Sequence, residues 1–261
     1  MLDLRDVDVE KITADEYYEI CKEAVTQKGY MLQHIDITKI SKDKYFEICV
    51  IAIKQNTSAL RFINKEVIDN YKYTELCEIA VIYTSDDKYR NKDIDLNMMH
   101  YIFNIALDHN GKLLILVNKH YFNVNDYFDL CRTAIRQNTL LLLEIEIDDV
   151  EHPNNDYYNR LCEIAVKNTS DDKTRNKNIL FNDIYLIYKK ALKQNGNLLE
   201  FVNKDLIIKN ENMYDLCKIA VEQQKDTKYI GNKGLTYEQI DKLLNIANPG
   251  KEYKLRVNKE Y

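Results

Sequence analysis

The sequence predicts an all-α protein, an α-solenoid of about nine helix–turn–helix repeats of 26–31 residues each. Three observations predict this fold class: an alanine that returns at nearly even intervals, apolar residues at helical spacing around it, and a scarcity of turn-forming residues. The chain contains only 6 Gly and 2 Pro, which suits helices better than a turn-rich β protein.

The repeat is defined by the spacing of one alanine. Successive copies are separated by 28, 28, 26, 28, 31, 26, 29 and 27 residues. Because a nearly fixed period of this length is typical of repeat architectures, we take it as the primary indication of the fold. The nine aligned residues are Ala24, Ala52, Ala80, Ala106, Ala134, Ala165, Ala191, Ala220 and Ala247.

Each aligned alanine lies within the same pattern of apolar residues. Tyrosine or another apolar residue stands seven positions before it, and Ile or Leu stands four positions before it. An aliphatic residue follows it directly in the first eight repeats. Because positions i, i+3, i+4, i+7 and i+8 share one face of an α-helix, each copy predicts one amphipathic helix.

The predicted helix ends also recur. Residues 13–16 and 236–239 have the spacing of a capping box, and Asn125 and Asn155 are candidate N-caps. Four and five residues after the alanine come pairs such as Lys28-Gly29, Asn110-Gly111 and Asn195-Gly196. Glycine there is expected to adopt the left-handed conformation that closes a helix.

A second, shorter helix is predicted after each of these turns, as in residues 58–63 and 197–202. One helix pair cannot bury its apolar face alone, so neighbouring repeats are expected to stack. The sequence therefore predicts a single α-solenoid domain over residues 1–261. Residues from about 236 to 261 form an atypical C-terminal capping unit, since the helix face ends at Asn248 and Pro249-Gly250 follow.

The position three before the alanine is cysteine in six repeats. These residues form no CxxC pair, and the acidic N-terminal stretch lacks a secretory signal, so we expect a cytoplasmic chain with reduced thiols. Stacked helices lie roughly 8–10 Å apart, which exceeds the Cα separation of about 4.4–6.8 Å that a disulfide tolerates. We therefore expect small buried core residues at Cys21, Cys49, Cys77, Cys131, Cys162 and Cys217.

Four stretches carry a recognisable motif. They read AIKQNTSALRFI (52–63), ALDHNGKLLILV (106–117), AIRQNTLLLLEI (134–145) and ALKQNGNLLEFV (191–202). They resemble the short AVKQNGxAL helical repeat, a domain of unknown function found in large DNA viruses of amoebae and in some bacteria and protists. The resemblance implies a solenoid and is compatible with a giant-virus protein, whose compartment would then be the host cytoplasm. It implies no catalytic residues.

Three repeats replace the second helix with a polar segment. The first polar segment, TSDDKYRNKDI (84–94), and the second, TSDDKTRNKNI (169–179), are nearly identical and 85 residues apart. The third polar segment, KDTKYIGNK (225–233), is a looser relative. Insertions in a solenoid often map to one binding face. The candidate binding residues are Asp86, Asp87, Lys88, Arg90, Lys92, Asp171, Asp172, Lys173, Arg175 and Lys177.

Two interpretations of the polar segments stay open. Their arginines and lysines would suit carboxylate or phosphate groups of a partner. Alternatively, an ancestral block of three repeats duplicated, and its solvated loop simply stayed similar.

The sequence shows no pattern that predicts catalysis. It contains no GxGxxG, GxxxxGK[ST], GxSxG or HExxH, so we expect no enzyme activity, no cofactor and no metal site. The leading hypothesis is a non-enzymatic protein–protein interaction scaffold with a protein partner. The alternative is a nucleic-acid-binding helical repeat, which the net charge of −5 disfavours. Self-association is compatible with either function, and no apolar run predicts a membrane span.

Overall fold

The computed structural model describes residues 4–90, 94–150, 156–176, 178–208, 212–231 and 234–250. Over these residues the regular structure is entirely helical, with no strand, which confirms the all-α prediction. The chain divides into two compact units, Met1–Gln137 and Asn138–Tyr261. None of the helices in the described part is long and apolar enough to cross a membrane.

Nine long α-helices in the described residues each contain one aligned alanine. The first unit holds α1 (Ala14–Gln27), α2 (Lys42–Gln55), α3 (Asn70–Ser85), α4 (Leu96–His109) and α5 (Val124–Gln137). The second unit holds α6 (Tyr157–Ser170), α7 (Phe181–Gln194), α8 (Met213–Gln224) and α9 (Tyr237–Ala247). All nine alanines are buried, which confirms the predicted helix face.

The predicted second helices form as 3₁₀-helices. In the first unit they are Gly29–His34, Thr57–Phe62 and Gly111–Leu116, and in the second they are Thr139–Leu143 and Gly196–Phe201. Within each unit, consecutive long helices pack against each other, and a 3₁₀-helix also contacts the long helix that follows it. Shorter helical segments are Leu4–Asp6, Ile37–Lys39, Lys119–Tyr121, Ile147–Val150 and Lys204–Ile208.

The predicted left-handed glycines are wrong. Gly29, Gly111 and Gly196 each open a 3₁₀-helix, and the described glycines with positive φ are Gly234 and Gly250. Glycine occupies positions 29 and 196 because the neighbouring repeat leaves no room for a side chain, and not because the chain needs a positive φ. A Cβ at Gly29 would lie 2.5 Å from the carbonyl oxygen of the aligned alanine in α2, and a Cβ at Gly196 would meet α8 at the same distance.

The predicted helix starts are partly confirmed. Thr13 and Thr236 both form complete capping boxes. Asn125 is not the N-cap of α5, because α5 starts one residue earlier and Asn123 Oδ1 accepts the N–H groups of residues 125 and 126. Asn155 lies outside the described residues.

A side-chain contact that we call the glutamine clamp joins neighbouring repeats. Gln55 Oε1 accepts the Gly29 N–H at 2.6 Å, and its Nε2 donates to the carbonyl of Gln27 at 3.4 Å. Both backbone groups lie where α1 ends and would otherwise lose their helical partners. The clamp recurs at α4/α5 through Gln137 and at α7/α8 through Gln223.

Candidate functional site

The first polar segment begins where α3 runs past the usual end of its repeat. Thr84 replaces the asparagine that opens a 3₁₀-helix elsewhere. Its Oγ1 donates to the carbonyl of Ala80 at 2.7 Å and lies 3.0 Å from Thr57 Oγ1 in the neighbouring repeat. Thr84 is fully buried, and α3 continues one residue past it to Ser85.

All three polar segments contain an aspartate whose side chain accepts the N–H of the residue two positions later. The carboxylate of Asp86 accepts the N–H of Lys88 at 2.8 Å. The corresponding distances are 2.9 Å from Asp171 to Lys173 and 3.0 Å from Asp226 to Lys228. The third polar segment is therefore a structural relative of the other two, although its sequence has diverged.

The arginines of the first two polar segments pair within their own turns. Arg90 Nη2 lies 2.6 Å from Asp87, and its guanidinium lies 4.4 Å from the ring centre of Tyr121. Arg175 forms the corresponding ion pair with Asp172. Each arginine therefore stabilises its own turn. That these side chains bind a partner stays a prediction.

The predicted binding residues fall into two separate groups. Asp86, Asp87, Lys88 and Arg90 lie in the first compact unit, whereas Asp171, Asp172, Lys173 and Arg175 lie in the second. Lys92 and Lys177 lie outside the described residues.

A groove of about 570 Å³ lies beside the first polar segment. One wall comes from the end of α3 and the turn, and the other from the 3₁₀-helix Gly111–Leu116 and the residues after it. The lining residues are Ile82, Ser85, Asp86, Asp87, Ile115, Leu116, Val117, Asn118 and Tyr121. We call this site the isoleucine groove.

The isoleucine groove exposes aliphatic side chains to solvent. Ile115 is 80% exposed, Ile82 is 42% exposed and Leu116 is 38% exposed. Sequence reasoning missed these three residues because it considered only the polar segment itself. A usable signal was present, since isoleucine occupies repeat positions that carry polar residues in most other copies.

The electrostatics of the groove are set by carboxylates. Its charged lining residues in the described part of the chain are Asp86 and Asp87. A hydrogen bond to Asp87 raises the pKa of the Tyr121 hydroxyl, because it favours the protonated form. The groove therefore offers aliphatic contact beside two carboxylates, of which Asp87 is paired with Arg90.

One buried hydroxyl beside the groove lacks a partner. Ser85 Oγ makes no hydrogen bond to the described residues, whereas its counterpart Ser170 Oγ lies 2.8 Å from Tyr188 Oη. The difference arises because Phe103 occupies the position of Tyr188 in the first unit.

The repeated cysteines behave as core residues. All six are free thiols and buried, and burial raises the pKa of the Cys49 thiol to about 12. Thiolate, the reactive form, is therefore scarce at neutral pH. Among the described residues, no group of three or more His, Cys, Asp or Glu side chains could hold a metal ion.

Fold and site together define an all-α protein of helical-repeat type with an exposed aliphatic groove. A family model described as a domain of unknown function (DUF4116) matches residues 17–68. The match covers α2, most of α1 and the 3₁₀-helices between and after them, and it does not reach the groove. No curated protein and no solved structure matches the chain.

Proposed function

We propose that the chain is a non-enzymatic scaffold that binds a partner protein, and that its repeats stack into an α-solenoid. Helices α1 to α5 pack in chain order in the first unit, and α6 to α9 do so in the second, which supports the stack. The AVKQNGxAL resemblance favours a viral protein that acts in the host cytoplasm.

Partner binding rests on one observation, the aliphatic surface of the isoleucine groove. Contiguous exposed apolar area costs free energy in water, and on a folded protein it commonly marks an interaction site. Ile82 on α3 and Ile115 and Leu116 on the 3₁₀-helix Gly111–Leu116 supply such an area. The groove is about the size that accommodates a few side chains of a partner.

Cross-linked capture tests this proposal. The tagged full chain is expressed in the host of the source organism, cross-linked and purified, beside a tagged helical-repeat protein of unrelated sequence. We expect at least one protein to be enriched over the control and to co-elute with the purified chain in gel filtration. Absence of any such protein across several extraction conditions would contradict the scaffold proposal.

Nucleic-acid binding is the second candidate function. Two lysine–tyrosine pairs favour it. Lys88 Nζ lies 4.9 Å from the ring centre of Tyr89, and Lys228 Nζ lies 4.7 Å from that of Tyr229. Such pairs suit a stacked base and its phosphate. A filter-binding assay on single-stranded RNA and DNA tests it, and affinity that falls steeply with salt would favour this function.

A further inference from the structure

The second polar segment provides an internal reference for the isoleucine groove. An offset of 85 residues aligns the sequence positions that line the groove with positions in the second unit. Five positions keep their residue: Ser85/Ser170, Asp86/Asp171, Asp87/Asp172, Val117/Val202 and Asn118/Asn203. The two most exposed aliphatic positions do not, because Ile82 becomes Lys167 and Ile115 becomes Glu200.

In most other repeats, polar residues occupy the positions of Ile82 and Ile115. The residue two after the alanine is polar and exposed in the other long helices from α1 to α8: Thr26, Lys54, Asp108, Arg136, Lys167, Lys193 and Glu222. The position of Ile115 carries Gln33, Arg61 and Glu200 elsewhere, and a half-buried Leu143. The helical-repeat fold therefore does not require an apolar residue at either position.

In the second unit, a charged side chain covers the corresponding surface. There, Lys167 Nζ lies 4.2 Å from the ring centre of Phe201, the counterpart of Leu116. The charged side chain thus lies over the apolar floor. In the first unit, Ile82 stands in place of that lysine and leaves the floor exposed.

We propose that the isoleucine groove binds an extended segment of a partner protein in which an apolar side chain is followed by lysine or arginine. The apolar side chain would contact Ile82 and Ile115, and the cation would lie beside Asp86. The charge of the rim decides the partner, since the carboxylate of Asp86 attracts a cation and disfavours phosphates and acidic peptides, whereas the charge of Asp87 is offset by Arg90. This inference rests on the scaffold function proposed above.

Asp86 is the better of the two carboxylates for this role. Asp87 is already paired with Arg90, whereas within the described residues the carboxylate of Asp86 accepts only a neutral backbone N–H of its own turn. A cation of the partner would therefore add an ion pair at Asp86 without breaking an existing one.

The test uses the full chain and an array of synthetic peptides in three matched sets. The first set places Leu, Ile, Met or Phe before Lys or Arg. The second replaces the basic residue by Asp or Glu, and the third replaces the apolar residue by Ser. We expect the first set to bind at least about tenfold more tightly than either other set, since it alone supplies both contacts.

The decisive variant is Ile82→Lys with Ile115→Glu, which copies the residues of the second unit. Because the same side chains occupy the same repeat positions there, this variant is expected to keep the fold, as judged by circular dichroism and the melting temperature. We expect it to bind the first peptide set no better than the other two. The matched control is Leu180→Lys, which removes a 69% exposed leucine elsewhere and should leave peptide binding unchanged.

A second variant tests the charge of the rim alone. Asp86→Asn keeps an oxygen that accepts the Lys88 N–H, so the turn is retained while the charge is lost. We expect the preference for basic over acidic peptides to fall by about two- to fivefold, the size of an exposed ion pair. The requirement for an apolar side chain should persist.

Several results would overturn the proposal. Equal peptide binding by the parent and by Ile82→Lys with Ile115→Glu would do so, as would a preference for the acidic set. If the parent chain forms a dimer and the double variant does not, the groove is occupied by a second copy of the chain. Loss of oligonucleotide binding in the variant would assign the groove to nucleic acid.

The groove and the scaffold function fail in different ways. If the captured host protein binds the parent and the double variant equally, the groove proposal is wrong while the scaffold function stands. If capture finds no protein but the first peptide set binds in the groove, the specificity of the groove is supported while the scaffold proposal is contradicted.

Discussion

Single residues show which features of this chain serve the core and which do not. The buried alanines and cysteines follow the repeat, and their burial could be predicted because each one lies on a helix face that the neighbouring residues define. Ile82 and Ile115 break the repeat, and the sequence alone displays the break. The Ser85 hydroxyl has no hydrogen bond among the described residues because Phe103, unlike its counterpart Tyr188, has no hydroxyl. Sequence spacing did not reveal this, because the two positions lie in different repeats.

The two equivalent serines are expected to respond oppositely to removal of the hydroxyl. Ser170→Ala should lower the free energy of unfolding by about 1 kcal/mol, because it removes the hydrogen bond to Tyr188. Ser85→Ala should be neutral or stabilising, because that hydroxyl is buried without a partner in the described residues. Urea unfolding followed by circular dichroism measures both, and equal losses would contradict the assignment.

Phe103→Tyr should supply the missing partner. The second unit shows that a tyrosine at this position can be fully buried beside the serine. We expect a gain of about 0.5–1.5 kcal/mol in the parent chain, the usual net value of one hydrogen bond. The gain should vanish when Ser85→Ala is also present, and a gain of the same size in both backgrounds would refute the pairing.

Helices and turns were predictable in position but not in detail. The long helices follow from the apolar spacing, and each contains its predicted alanine. The 3₁₀ form of the second helices could not be predicted, because six residues carry too little periodicity to separate the two helix types. The predicted glycine conformations were wrong because glycine is needed for a different reason. A Cβ at Gly29 would lie too close to the carbonyl oxygen of Ala52 in the next repeat, and sequence spacing does not show such a contact.

The glutamine clamp should contribute to the junction between neighbouring helices. Gln137→Ala removes the acceptor of the buried Gly111 N–H and the donor to the carbonyl of His109. We expect a loss of about 1 kcal/mol in the free energy of unfolding, since water can reach part of the vacated site. The adjacent exposed Arg136→Ala is the control and should stay within about 0.5 kcal/mol of the parent.

The whole molecule should lose stability at alkaline pH. Burial raises the pKa of the Cys49 thiol and of the Tyr17 hydroxyl to about 12, from ordinary values of 9.0 and 10.0. Between about pH 9 and pH 12 the unfolded chain therefore releases protons that the folded chain retains. The stabilisation is complete below that range and is lost as the pH rises through it.

Urea midpoints measured with a reductant from pH 8 to pH 11 should change little below about pH 9 and should fall as the pH rises from there to 11. Tyrosinate absorbance at 295 nm gives an independent control, because the buried tyrosines should ionise only as the chain unfolds. Constant midpoints, or full ionisation of the tyrosines in the folded state, would contradict the role of burial.

Stability in a stacked array of repeats is expected to be a sum of local terms, and two of the buried glycines, one from each compact unit, test this expectation. Gly29→Ala and Gly196→Ala each place a Cβ 2.5 Å from a backbone oxygen, so we expect each to cost about 1–3 kcal/mol. Because the two glycines lie in different compact units, their effects should add within about 0.5 kcal/mol. Hydrogen exchange should show the loss of protection around α1 and α2 for Gly29→Ala and around α7 and α8 for Gly196→Ala. The exposed Asn197→Ala is the matched control, and equal loss of protection in both units from either glycine variant would contradict a nearest-neighbour array.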